Sequence, residues 1–163
     1  MPLLLLSLHM AKSKSKPLVQ VATLCENVLT ESDRVTSIIR LVDTVYLTAP
    51  EVVPEGVEPV VQLKAFISLK SGDVTGEYDV DVVLRSPSGK KAPLPQKWHV
   101  SLLGNESGAH ATLNFQMPVR EWGLYWYDVV WEGEVLTSIP FRLVEGGKPG
   151  QAQDEATKKA STR

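Results

Sequence analysis

Cysteine is almost absent from this chain of 163 residues. Cys25 stands alone, so no intramolecular disulfide can form. Its apolar surroundings read as those of a small buried hydrophobe in a reducing compartment. Histidine is nearly as scarce: His9, His99 and His110 have no ligand spacing, and no metal site is expected. Neither sign of charge dominates, with 17 lysines and arginines against 19 acidic residues, so no strong field favours nucleic acid or an acidic membrane. No apolar run approaches the roughly 20 residues of a membrane-spanning helix. The segment "SPSGKK" at 86–91 carries a glycine, but neither a helix nor Gly-Lys-Ser/Thr follows, so it is a turn and not a phosphate loop. No catalytic constellation and no cofactor motif are found; the expectation is a protein that is not an enzyme and carries no cofactor.

The opening "MPLLLLSLHMAKSKSKP" imitates an export signal, but its lysines follow the leucines instead of preceding them, and Leu3–Leu6 is too short a run. Met10 as the true start, or a frayed end, fits better, and the expected location is the cytoplasm. Residues 1–17 and 146–163 are polar enough to read as a flexible basic arm and a tail around an ordered domain spanning 18–145.

Within that domain the dominant period is two, the mark of strands with one buried face. Val61, Leu63, Ala65, Ile67 and Leu69 alternate with polar residues, and Phe66 is the single apolar intruder on the wet side. Tyr78, Val80, Val82 and Leu84 repeat the pattern, and the intervening "SGDVTG" predicts a hairpin that pairs the two runs antiparallel. Strands are expected at 18–30, 34–48, 59–70, 77–86, 97–103, 110–117, 123–131 and 134–144, with a helix over 20–30 as the rival for the first. Short strands broken by Gly/Pro turns predict an all-β fold, an antiparallel β-sandwich of about eight strands, immunoglobulin-like or jelly-roll-like.

The aromatic run "GLYWYDVVWEGEVLTSIPFRL" at 123–143 poses a register problem. A two-residue loop at Glu132-Gly133 would bury Asp128 with no evident partner. A three-residue loop, Trp131-Glu132-Gly133, pairs Val135 with Val129, turns Tyr125, Tyr127 and Val129 inward and leaves Asp128 in water. That register is the expected one. It puts Leu124, Trp126 and Val130 on the outer face and Trp131 at the turn, and Pro140 marks its strand as near a sheet edge.

Two carboxylate features remain. Asp73, Glu77, Asp79 and Asp81 suggest a calcium cradle, but alternate residues of a strand diverge along a ridge, so a solvated face is expected. Asp43 falls in register with Val35, Ile39, Leu41, Val45 and Leu47; either a bulge near Val42–Thr44 turns it outward or it is buried and hydrogen-bonded.

"ATLCENVLTESDRVTSIIRLVDTVYL" and "GLYWYDVVWEGEVLTSIPFRLV" together resemble small bacterial all-β proteins grouped as a domain of unknown function. The resemblance implies a bacterial origin and a β-sandwich and supplies no activity or site. The functional expectation is a non-enzymatic protein-interaction or accessory module using an outer face around Trp126, Trp131 and Phe66, with self-association through an edge strand compatible with it. The alternative is a carbohydrate- or small-ligand-binding domain in which the tryptophans stack on the ligand.

Overall fold

The computed structural model describes residues 15–48 and 58–146, all of whose regular structure is β. Eight strands follow in chain order: β1 (Leu18–Thr30), β2 (Thr36–Leu41), β3 (Thr44–Leu47), β4 (Val60–Arg85), β5 (Lys91–Pro93), β6 (Trp98–Pro118), β7 (Gly123–Trp131) and β8 (Glu134–Glu145). The rival helix over 20–30 does not form: β1 pairs with β2 on one side and β4 on the other. Among the described residues no helix is long and apolar enough to cross a membrane. Most of the expected arm and tail, with Met10, lies outside the described residues; of the arm's last residues, Lys16 makes an ion pair with Glu134 and Pro17 is buried.

The expected strand count is matched by different strands. The runs 59–70 and 77–86 are two halves of one strand, β4, and do not pair with each other. "SGDVTG" is a bend instead of a reversal. Gly72 (φ 54°) and Gly76 (φ 123°) turn the chain, while on the neighbouring strand Gly104 (φ 76°) and Asn105 (φ 54°) make a matching bend, so β6 stays paired with β4 along nearly its whole length. A Cβ at position 104 would come within 2.9 Å of Thr75 Cγ2, so the bend needs glycine there on steric as well as conformational grounds. The hydroxyls of Ser71 and Ser107 meet at 2.7 Å across it. The chain thus builds a long bent ribbon: β4 rises, turns at 86–90, and returns as β5 and β6.

Other strands add to this ribbon. β1 and then β2 extend its first half, while β7, β8 and β3 extend its second half, giving the order β2-β1-β4-β7-β8-β3. The ribbon folds the sheet over, so that both halves pack into one core. Leu24, Leu63, Ile67 and Met117 of the first half meet Val82, Tyr127, Val129 and Phe141 of the second, with the Phe115 and Tyr127 rings 4.4 Å apart. The fold is therefore all-β, as expected. It departs from the all-antiparallel arrangement because β3 runs parallel to β8, which makes the sheet mixed. The expected strand 34–48 breaks at Val42–Asp43, where the chain leaves β1 for β8. This break leaves Asp43 exposed, with its carbonyl accepting from the Arg142 N–H.

The aromatic hairpin reaches the expected facing by an unexpected route. The loop is the two-residue Glu132-Gly133 (φ 47° and 83°), as in a type I′ turn, with Trp131 opposite Glu134 and Val130 opposite Val135. A register shift between Val129 and Val130 then sets Val129 against Thr137 instead of Val135. Tyr125, Tyr127 and Val129 are buried in the core, as expected. β3 joins β8 only from Arg142 onward, so among the described strands the stretch holding Pro140 is flanked by β7 alone.

Candidate functional site

The three residues expected to form an aromatic contact face are not brought together. Trp131 is 2% exposed and packs in the core, its ring 4.2 Å from that of Tyr78. Its position follows from the two-residue turn, which keeps residue 131 in the ladder opposite Val80 instead of releasing it into a loop. Phe66 belongs to the other half of the sheet, is 6% exposed, and has the His110 ring 5.7 Å away. Trp126 alone lies on the outer face as expected, and it is half-buried.

The cover on Trp126 is Arg85, directly opposite on β4, whose guanidinium carbon lies 5.2 Å from the ring centroid. The same guanidinium grips Asp128: Nε donates to Oδ2 at 3.1 Å and Nη2 to Oδ1 at 2.9 Å, and Ser138 Oγ donates to Oδ1 at 2.6 Å. Asp128 is consequently 4% exposed, in contrast to the expected contact with water. The Arg85 hydrogen bonds hold its carboxyl below the usual carboxylate range. Arg85, Asp128, Ser138 and Trp126 thus satisfy one another within the sheet, so the arrangement is a structural clamp.

Three of the four carboxylates of the acidic ridge are paired with neighbouring cations. His99 sits between Asp79 (Nδ1 to Oδ1, 2.9 Å) and Glu77 (Nε2 to Oε2, 3.2 Å), and Lys97 meets Asp81 at 3.5 Å. The Asp79 hydrogen bond raises the His99 pKa and lowers that of the aspartate. Cys25 is buried, and burial pushes its thiol pKa up, away from the thiolate a nucleophile needs.

A concave site that sequence reasoning missed lies at the end of the fold where the β4–β5 turn and the 119–122 loop meet. It is a cavity of about 610 Å³. Its floor is apolar: Leu84 of β4, Leu94 after β5, Met117 of β6 and Tyr125 of β7. Its rim is charged, with Lys90, Lys91 and Arg120 against Glu121. Glu121 is tied down by the Ser88 N–H at 2.9 Å and the hydroxyls of Ser88 at 2.8 Å and Ser86 at 3.4 Å, which hold its pKa down. The Tyr125 hydroxyl donates to the Glu121 carbonyl at 2.8 Å, bracing the loop over the floor. A smaller hollow of about 310 Å³ adjoins along β6, sharing Leu94 and Gln116, and a third of about 480 Å³ shares Asn114, Phe115 and Gln116 with it and mixes polar residues such as Glu26, Gln62 and Lys64 with apolar ones such as Cys25 and Leu63.

No family model matches the chain, and no curated protein matches it significantly. Among solved structures, a β-glucosidase from Listeria innocua is similar with a TM-score of 0.45 and 13% identity, over 82% of this chain and 17% of that one. Pseudomonas fluorescens alkylpurine DNA glycosylase AlkC, bound to DNA containing an abasic site analog, is similar with a TM-score of 0.45 and 13% identity, over 81% of this chain and 31% of that one. The chain thus spans less than a third of either protein, and likenesses of this degree carry no inference about function.

Proposed function

We propose that the protein is a non-catalytic binding module whose ligand is a small molecule held in the cavity at the 86–94 and 119–125 end. The observation that carries this reading is the cavity itself: about 610 Å³ with an apolar floor and a few convergent polar groups, within the range of ordinary small-molecule sites. Loops carried on a well-packed sheet are also where binding residues concentrate. The folded-over sheet is read as a sandwich-like scaffold of the immunoglobulin or jelly-roll kind, supported by the core its two halves share. Stacking of sugars on a tryptophan pair loses its basis, because Trp131 is in the core.

The uncharged fluorescent probe phenyl-naphthylamine tests the reading. It should bind one-to-one with enhanced emission, and Leu94→Trp, which fills the cavity, should abolish the enhancement while leaving the unfolding midpoint within a few degrees. Absence of saturable binding, or binding that survives Leu94→Trp, would overturn it.

A second reading, a protein-interaction module, is favoured by the β1–β2 hairpin. Leu41 stands opposite Cys25 and Ile39 opposite Asn27, so both share a face with Leu29, and all three are exposed on or beside edge strand β2. An apolar face on an edge that no other described strand covers invites pairing with another chain. Concentration-dependent sedimentation that Leu41→Lys removes would support self-association there; a monomer at every concentration would count against it.

A further inference from the structure

We propose that the ligand of this cavity is a small organic anion with an apolar body, its anionic group at Lys90 and Lys91 and its body against Leu84, Leu94 and Met117. The inference rests on the small-molecule reading above and adds the chemical class.

The charge on the rim is unbalanced. Lys90, Lys91 and Arg120 line the rim against the one acidic lining residue, Glu121. Moreover, that carboxylate is already engaged by the protein. The oxygens of Glu121 accept hydrogen bonds from Ser86 and Ser88, and its backbone carbonyl accepts the Tyr125 hydroxyl. Arg120 is partly engaged by Glu58 at 3.3 Å. Lys90 and Lys91 make no direct ion pair among the described residues, although Lys90 lies near enough to Glu121, and Lys91 to Asp128, to help hold those carboxyl pKa values down. The cavity therefore offers ammonium donors at its mouth and hydrocarbon within.

Such a surface discriminates between ligand classes. A cation would meet an excess of like charge, and a sugar would leave most of its hydroxyls against Leu84, Leu94 and Met117 without partners, a costly loss of hydration. An apolar body carrying a carboxylate or sulfonate places each part against its complement, burying hydrocarbon on the floor while its charge stays at the wet rim. The backbone beneath the lysines is held firmly enough to present them. The turn is closed by the Gly89 N–H to the Ser86 carbonyl at 2.8 Å and the Ser86 N–H to the Lys90 carbonyl at 2.9 Å, and Lys91 is paired with Arg85 in the β4–β5 ladder.

The test compares phenyl-naphthylamine with anilinonaphthalene sulfonate, which has the same ring system plus one anionic group, on the full chain. The sulfonate should bind about tenfold tighter at low salt, since each exposed ion pair contributes a few-fold. That ratio should shrink as ionic strength rises from about 0.05 M to about 0.5 M. The double substitution Lys90→Gln/Lys91→Gln should bring the ratio towards one, and both residues are exposed enough for the fold to survive it. Equal affinity of the two probes, or a ratio the double variant leaves at about ten, would overturn the anion assignment. If phenyl-naphthylamine binding is then still lost in Leu94→Trp, the small-molecule reading stands alone; if neither probe binds, both fail.

Discussion

Asp128 shows how a single side chain can defeat a reading based on hydrophobic alternation. Its place between Tyr127 and Val129 identifies it as outward-facing, and outward normally means wet. Here the outer face carries Arg85 on the adjacent strand, and the fork between guanidinium and carboxylate removes Asp128 from solvent. Asp128→Ala would strand that guanidinium, at an expected cost of about 2–3 kcal/mol. This is below the roughly 3–5 kcal/mol for breaking a fully buried pair, because Arg85 keeps a third of its side-chain surface in water. The lowered carboxyl pKa fixes the sign of the acid response. The stabilisation is complete above the unfolded aspartate value near pH 4 and is lost as pH falls through the folded value. Urea unfolding of the wild type and Asp128→Asn at pH 7 and at about pH 3 should therefore give a difference that narrows in acid. Trp131 presents a second residue-scale test. Its indole N–H is buried without a hydrogen-bond partner among the described residues. Trp131→Phe should thus cost less than about 1.5 kcal/mol, whereas Trp131→Ala, which empties the site beside Tyr78, should cost about 3–5 kcal/mol.

Elements were legible where their cue was local and illegible where it lay in another strand. The alternation in 61–69 and 78–84 fixed which residues face the core. Whether the glycines between those runs close a hairpin or bend a strand depends on Gly104 and Asn105, about thirty residues away, whose matching bend lets the two strands pair on both sides of the register shifts there. Gly104→Ala is therefore expected to destabilise by about 2–4 kcal/mol through left-handed strain and the clash with Thr75. Thr75→Ser, which deletes the clashing methyl, should recover only part of the loss in chemical denaturation. The aromatic hairpin is a milder instance. Both loop lengths were open in the sequence, and the shift at Val129/Val130 lets the shorter loop coexist with the core facing that the longer one predicted. Gly133→Ala should cost about 1–2 kcal/mol by strain alone, since no atom lies within 4 Å of the added methyl.

At the scale of the whole molecule the cavity had no sequence signature. Its walls come from β4, the segment after β5, β6 and β7, and they meet only because the bent ribbon returns over itself. The basic pair Lys90-Lys91 beside a Ser-Pro-Ser-Gly turn was visible, but as a turn it gave no reason to expect an apolar floor beneath it. Trp126, the residue that drew most weight in the sequence, is instead occupied by Arg85. Backbone amide spectra of the labelled protein, titrated with anilinonaphthalene sulfonate, test the central claim most directly. The account predicts saturable shifts confined to residues 84–94 and 116–125, with the β1–β2 hairpin and the Trp126 face unmoved. Shifts centred on Leu29, Ile39 and Leu41, or on Trp126, would contradict it.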